Sequence, residues 1–174
     1  MTTTIGCPVV ADALDRLSVE AGQLFQARGW MLATAESCTG GGIAECITRT
    51  AGSSAWFDRA FITYTNESKT ELLAVPAALI AAQGAVSEAV ARAMAEGALA
   101  ASRADLVLAV TGIAGPGGGV PGKPVGFVCF AWALRDGRCL SGHRQFAGDR
   151  AAVRRASIEH ALAQAMALAR AEVG

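Results

Sequence analysis

The stretch Leu32-Ala-Thr-Ala-Glu-Ser-Cys-Thr-Gly-Gly-Gly42 decides the fold of this chain. An apolar run gives way to small polar residues and three glycines, and a helical pattern begins at Ile43. This order is typical of a strand, a tight turn and a helix. Glycines let the backbone approach a ligand closely, and unpaired N–H groups in such a turn can hold an anion or a developing oxyanion. Ser37 would then lie at the edge of a pocket, although Ser37 or Thr39 could instead simply cap the helix.

The composition is that of a well-buried globular chain, with 52% hydrophobic and 17% charged residues among 174. Fifteen basic and fifteen acidic side chains cancel, so we expect neither nucleic acid nor an anionic membrane as a partner. No signal peptide or membrane-length apolar run is visible. The five cysteines are odd in number and contain no Cys-x-x-Cys pair. We therefore expect a cytoplasmic protein without disulfides and without a metal site.

Apolar periodicity and turn signals predict one α/β domain over residues 1–174, with its core at about 10–171. The predicted helices cover residues 10–28, 41–50, 66–73, 76–84, 88–102 and 148–171, and the predicted strands cover 30–35, 57–65, 105–110, 124–134 and 138–146. Phe61, Ile62 and Tyr64 are expected to face the core, and Asn66 to cap the helix that follows. Asp136-Gly137 is a hairpin signal. The expected fold is a three-layer domain whose mixed, mostly parallel sheet is flanked by helices.

A second glycine-rich loop, Thr111–Gly119, follows the apolar strand at 105–110. Ligands of open α/β sheets bind at the ends of such strands, although a glycine-rich loop can also be an ordinary surface connection. Residues 117–123 match the phosphate-loop spacing G-x-x-x-x-G-K. However, Pro124 replaces the magnesium-binding Ser/Thr and a strand follows where that motif needs a helix. The match is accidental.

Tyr64 and Lys69 form a second group of candidates, one at the predicted end of a strand and one a turn into the next helix. A lysine removed from water has a lowered pKa and can act as a base for a serine nucleophile. The alternatives are a half-buried core tyrosine and a solvated helix lysine. The two histidines, His143 and His160, lie within a predicted strand and helix and are interpreted as structural, so a Ser–His–Asp arrangement is hard to build.

Seven segments, in order along the chain, resemble the successive motifs of the CinA C-terminal domain family, the nicotinamide-nucleotide amidases. They are residues 35–41 (AESCTGG), 52–57 (GSSAWF), 64–69 (YTNESK), 84–87 (GAVS), 111–118 (TGIAGPGG), 123–126 (KPVG) and 146–150 (FAGDR). Thr65 stands where the family usually has serine. The resemblance implies deamidation of nicotinamide mononucleotide in pyridine-nucleotide salvage, and it implies a serine nucleophile with a nearby tyrosine and lysine. Longer relatives carry an N-terminal pyrophosphatase domain, an activity not expected here.

Carried onto this sequence, the resemblance predicts Ser37, Tyr64 and Lys69 as catalytic residues that need no metal and no cofactor. The expected substrate-binding residues lie in the two glycine loops, at the start of the helix after Tyr64 and at the start of the last helix. They are Thr39, Gly40, Gly41, Asn66, Thr111, Gly112, Gly115, Gly117, Gly118 and Arg150.

Two questions stay open at this level. A catalytically silent nucleotide-binding or regulatory module of the same fold is the alternative to the amidase. Which of Lys69 and Tyr64 would accept the proton is also open. We further expect a homodimer, because Trp30, Trp56 and Trp132 give the chain more large apolar surface than one small sheet needs.

Overall fold

The strand that carries the opening motif, β1 (Leu32–Glu36), is buried at all five positions in the computed structural model, which describes residues 12–171. Its small side chains let helices approach the sheet from both faces, as in the buried strands of parallel sheets. β1 pairs in parallel with the strand that follows it and also with the third strand. The motif therefore lies inside the sheet and not at its edge.

Six helices and five strands make up the described residues. The helices are α1 (Ala13–Arg28), α2 (Gly42–Thr48), α3 (Asn66–Leu73), α4 (Ala77–Gln83), α5 (Glu88–Ala100) and α6 (Arg150–Ala171), with a short 3₁₀ turn at Ser53–Ala55. The remaining strands are β2 (Phe57–Ile62), β3 (Leu106–Gly112), β4 (Phe127–Leu134) and β5 (Cys139–Gln145). Every predicted element is present, with ends shifted by up to three residues wherever both ends are described. The predicted start of the first helix at Val10 lies outside the described residues.

The sheet has the order β2-β1-β3-β4-β5. β1, β2 and β3 are parallel, while β3–β4 and β4–β5 are antiparallel pairs. Four of the five strands therefore run in one direction and β4 runs against them, which confirms the mixed sheet. The predicted hairpin at Asp136-Gly137 joins β4 to β5.

Helices cover both faces of the sheet, which gives the predicted three layers. One apolar cluster lies under α1, α2 and α6 and the other under α3, α4 and α5. Trp56 and Trp132 are buried in the first cluster, and the Trp30 ring lies under the Arg28 guanidinium, 4.3 Å from the ring centroid. The tryptophans thus leave little exposed surface, and this argument for a homodimer was wrong. The homodimer itself stays a prediction.

The end of β2 corrects two predictions. The strand stops at Ile62 and not at Thr65, and the side chains of Ile62 and Tyr64 are 50% and 58% exposed, so neither is a core residue. The physical reason is position, because β2 is an edge strand.

The cap of α3 also lies one residue earlier than predicted. Thr65 caps α3 by accepting from the Ser68 amide, the Ser68 hydroxyl accepts from the Thr65 amide, and Asn66 is the first helical residue.

Other side chains behave as structural groups. His160 of α6 packs edge-on against Phe130, with ring centroids 4.8 Å apart, and burial lowers its pKa. Cys38, Cys46, Cys129 and Cys139 are free thiols. Among residues 12–171, no helix has the length and apolar character needed to cross a membrane.

Close packing of α5 on α3 makes Gly97 a sensitive position. A Cβ atom at Gly97 would lie 1.9 Å from the carbonyl oxygen of Leu73, which is backbone and cannot swing away. We expect Gly97→Ala to lower the free energy of unfolding by about 2 kcal/mol, because overpacking outweighs the gain of about 1 kcal/mol in helix propensity. Denaturant unfolding measures the change. Gly142→Ala is the matched control, since its Cβ would meet nothing within 4 Å. Equal stability of the two variants would contradict the packing argument.

Candidate active site

The two glycine-containing motifs meet because the chain leaves β1 and β3 in opposite directions. From β1 it continues through α2 to β2 at the sheet edge, whereas β3 is followed by the loop that leads to β4. Neighbouring parallel strands whose connections diverge leave a crevice at their carboxyl ends, which is where open α/β sheets bind ligands. Ser37 follows β1 at this crevice, and its amide donates to the carbonyl of Val110 in β3 at 3.0 Å.

Ser37 and Lys69 are in direct contact inside this crevice. The Lys69 Nζ lies 3.0 Å from the Ser37 Oγ, and the two residues are only 1% and 9% exposed. Lys69 also donates to the carbonyl oxygens of Thr63 at 2.8 Å and Thr65 at 3.4 Å. The chain on either side of Tyr64 thus holds the amine in place. The interpretation of Lys69 as a solvated helix lysine was wrong.

No carboxylate within the described residues makes an ion pair or hydrogen bond with this buried amine. Removal from water therefore lowers the pKa of Lys69 from its ordinary value of 10.5. A neutral amine can donate to the two backbone carbonyls and use its lone pair to accept the proton of the Ser37 hydroxyl. The pair accordingly has the geometry of a nucleophile and its base.

Glu36, the last residue of β1, organises the turn beside this pair. Its buried carboxylate accepts from the backbone amides of Gly41, Ile43 and Ala44 at 2.9 to 3.1 Å. The neighbouring amides are also used, since Gly40 donates to the Ser37 carbonyl and Gly42 to that of Thr39. The amides of Gly40 and Gly41 are therefore not free for a substrate phosphate, and that part of the expected binding site is corrected.

Two amides of the turn remain available. Within residues 12–171, the N–H groups of Cys38 and Thr39 donate to no other residue, although both residues are buried. Buried backbone donors are nearly always paired, so two unpaired ones directly after the serine indicate a place for a ligand atom. The Thr39 side chain is not part of that place, because its hydroxyl donates to Glu36 at 2.7 Å.

Tyr64 belongs to a second cluster at the rim. Its hydroxyl accepts from the Arg150 guanidinium at 2.8 Å, and Arg150 also donates to the Gly115 carbonyl at 2.9 Å. Tyr64, Arg150 and the second glycine loop, which are far apart in sequence, thus lie together. The Tyr64 hydroxyl has no hydrogen bond to Ser37 or Lys69 among the contacts described. Of the three catalytic candidates, only Ser37 and Lys69 touch.

The other candidates divide into buried and exposed groups. The Thr111 hydroxyl donates to the Ala85 carbonyl, and Gly112 is the last residue of β3, where a Cβ would meet Val128 at 2.7 Å. Both positions shape the sheet end. Gly117 and Gly118 are exposed, and their amides have no acceptor among the described residues. Asn66 is exposed at the start of α3 and lines a groove between α3 and α4.

These observations place a serine, a lysine and two unpaired amides together, and the comparisons with known proteins identify the family. A model of the CinA C-terminal domain matches residues 14–169. The chain belongs to this family. The amidohydrolase PncC of Enterobacter agglomerans, named for nicotinamide nucleotide, is 55% identical over 141 residues, which is 81% of this chain and 86% of that protein. The enzyme of the same name from Escherichia coli K12 is 51% identical over 149 residues, covering 86% and 90% of the two chains.

A solved structure of a similar protein has the same fold. The competence/damage inducible protein CihA from Agrobacterium tumefaciens has 43% sequence identity with this chain and a TM-score of 0.87. The match covers 97% of this chain and 99% of that one. At this level of similarity, the two proteins share the fold of the CinA domain described above.

Sequence reasoning missed two residues of this CinA site. Glu36 was quoted within the motif but given no role, although a carboxylate beside a helix start is a recognised signal. Arg154 donates to the Thr39 carbonyl at 2.6 Å, and its buried Nε has no partner among the described residues. Its spacing of four from Arg150 places both on one face of α6 and could have indicated it. Arg154, Gly40 and Gly41 also line a cleft of about 570 Å³ beside the turn.

Cys38 lies next to Ser37, and its thiol could in principle be a nucleophile instead. Burial raises the pKa of the Cys38 thiol to about 12, so the reactive thiolate is scarce at neutral pH. We expect iodoacetamide to alkylate Cys38 at least about 100-fold more slowly in the native protein than in denaturant. Mass spectrometry of the Cys38 peptide measures both rates, and the denatured sample is the control. Rapid alkylation of Cys38 in the native protein would contradict its interpretation as a buried, unreactive thiol.

Proposed function

We propose that this protein hydrolyses the carboxamide of nicotinamide mononucleotide, giving nicotinate mononucleotide and ammonia in pyridine-nucleotide salvage. The observation that carries the proposal is the contact of 3.0 Å between Ser37 Oγ and the buried Lys69 Nζ. The amidohydrolase names of relatives at 51% and 55% identity support the substrate. The same contact favours an active enzyme over a silent binding module, because a lysine buried without a carboxylate costs stability that binding alone does not require.

The reaction begins with proton transfer from the Ser37 hydroxyl to neutral Lys69. Ser37 Oγ bonds to the amide carbon, and the carbonyl oxygen becomes an oxyanion. The amides of Cys38 and Thr39 are the donors proposed for this oxyanion, because they are the ones left unpaired in the turn. Loss of one such donor typically lowers turnover by ~100-fold or more.

Collapse of the intermediate breaks the carbon–nitrogen bond. The leaving nitrogen receives a proton from the Tyr64 hydroxyl, which regains one from protonated Lys69, and ammonia departs. Water then attacks the acyl-enzyme, Lys69 accepts its proton, and nicotinate mononucleotide leaves as Ser37 is restored. In this scheme Lys69 is the proton acceptor and Tyr64 the relay to the leaving group, which requires the substrate complex to bring the Tyr64 hydroxyl within hydrogen-bond distance of Lys69.

The nucleotide is proposed to lie along the rim of the crevice. Arg150 is exposed and stands beside Gly115 and Tyr64, and the loop amides of Gly117 and Gly118 are unpaired. A guanidinium and free amides are suitable phosphate donors. Because Glu36 occupies the amides at the start of α2, this second loop is the better place for the phosphate. The cytoplasmic location and the homodimer stay predictions.

Removal of either member of the pair should abolish deamidation. We expect Ser37→Ala and Lys69→Met each to lower kcat by at least about 1000-fold, because residues acting as one unit fail together. Nucleotide binding, measured by calorimetry, should change little. Ammonia release from nicotinamide mononucleotide without added metal is the assay. Ser102→Ala, beyond the end of α5 and before β3, is the matched control. Near-normal turnover by Ser37→Ala would point to direct attack by water.

The rate should depend on pH through Lys69. Only the neutral amine accepts the serine proton, and burial lowers the pKa of Lys69 below 10.5. The logarithm of kcat should therefore fall as pH drops below that lowered pKa and level off above it. A pH–rate profile measures the inflection. If the rate instead kept rising up to the ordinary lysine pKa of 10.5, the lowered pKa of Lys69 would be contradicted.

A further inference from the structure

Glu36 is the residue directly before the nucleophile, and it is completely buried. One carboxylate oxygen, Oε1, accepts from the Thr34 hydroxyl at 3.2 Å and the Ala44 amide at 2.9 Å. The other, Oε2, accepts from the Thr39 hydroxyl at 2.7 Å and from the amides of Gly41 and Ile43 at 3.0 and 3.1 Å. A carboxylate offers about four acceptor positions. With five donors around it, this side chain has no capacity left for a substrate.

The five donors lie on both sides of the turn that carries Ser37. Thr34 belongs to β1, Thr39 lies in the turn, and the three amides lie at the start of α2. The turn contains two glycines with positive φ, +56° at Gly40 and +90° at Gly41, a conformation that glycine adopts freely but does not enforce. The carboxylate supplies the constraint that the glycines lack, because it connects the strand end to the helix start.

We propose that Glu36 is a positioning residue for the amidase reaction. Its carboxylate fixes the turn so that Ser37 Oγ faces Lys69 Nζ and the amides of Cys38 and Thr39 stay free for the oxyanion. The inference rests on the proposed function for its physiological meaning. Its physical content, control of Ser37 reactivity, can be measured without the nucleotide.

A purely structural role for Glu36 predicts something different. A carboxylate that only stabilises a helix start would change the stability of the fold, yet leave Ser37 equally reactive in the folded molecules. A positioning role predicts that Ser37 loses reactivity in protein that is fully folded, because small displacements of reacting groups cost rate steeply. The rate of covalent modification of Ser37 by a small sulfonyl fluoride distinguishes the structural role from the positioning role.

The main variant is Glu36→Gln, which keeps the size of the side chain. Its amide nitrogen is a donor and would face backbone N–H donors, so the five-bond arrangement cannot persist. We expect Ser37 modification to slow by about ten- to hundredfold in folded protein. The kcat for nicotinamide mononucleotide should fall in parallel, while KM stays within about threefold, as expected when an interaction acts on the chemical step.

Glu88→Gln is the matched control. Glu88 lies in the first turn of α5 and, like Glu36, accepts from a side-chain hydroxyl, that of Ser141, but it faces β5 and not Ser37. This variant should be modified at the wild-type rate. Ser37→Ala defines the background of the labelling, and circular dichroism verifies that each variant is folded.

A second variant keeps the test valid if Glu36→Gln does not fold. The double variant Thr34→Val/Thr39→Val removes both side-chain donors and leaves the three amides in place. Slower labelling of Ser37 in folded Glu36→Gln, or in the folded double variant if Glu36→Gln does not fold, supports the proposal. Labelling of folded Glu36→Gln at the wild-type rate, or of the folded double variant if Glu36→Gln is lost, overturns it.

The labelling also separates this inference from the proposed function. If wild-type protein is labelled at Ser37 but releases no ammonia from nicotinamide mononucleotide, the proposed substrate is wrong while the Glu36 comparison still holds. If the wild type releases ammonia and Glu36→Gln is labelled normally, the function stands and the positioning role fails.

Discussion

The burial of Lys69 against Ser37 is the contact on which the rest of the site depends. An amine held out of water, with no carboxylate bonded to it among residues 12–171, is unfavourable in its charged form, so burial itself shifts the proton equilibrium toward the free base. The surrounding structure maintains that environment. Carbonyls from the segment after β2 satisfy the amine, and the capping box of Thr65 and Ser68 fixes the start of the helix that carries it. In the proposed reaction this one side chain serves as the base, without a histidine or a metal.

The proposed nucleophile, Ser37, also needs a fixed position. The turn after β1 is rich in glycine, which allows close approach to a substrate but provides no rigidity of its own. Glu36 compensates by accepting from both ends of the turn inside the protein. This arrangement also explains why the helix start is not the anion site that its sequence suggests, because an internal carboxylate already occupies it. The amides left free are those beside the serine.

The groups proposed for substrate binding and those proposed for the chemistry are separated in space. The reacting pair is buried, whereas Tyr64 and Arg150 are exposed at the rim and are joined to the second glycine loop through the Gly115 carbonyl. A buried pair keeps its pKa shift, and an exposed rim can exchange a charged nucleotide with solvent. The divergent connections from β1 and β3 bring the buried pair and the exposed rim to the same crevice, so the topology of the sheet determines how far apart they lie.

The sequence by itself determined the order of elements, the hairpin between β4 and β5, the mixed sheet and the two loops at the crevice. Hydrophobic residues repeating every two or every 3.6 positions, glycines and hairpin turns are local signals, and they can be read from the sequence without knowledge of the fold. Depth is not local. Helical spacing could not distinguish a solvated Lys69 from a buried base, nor a core Tyr64 from an exposed one, because each depends on which segments pack above it. Ser37 and Lys69 meet across 32 residues, and Tyr64 and Arg150 across 86. Only the tertiary structure decided these contacts, since burial, and with it the pKa of Lys69, is a property of the whole packed sheet and its helices.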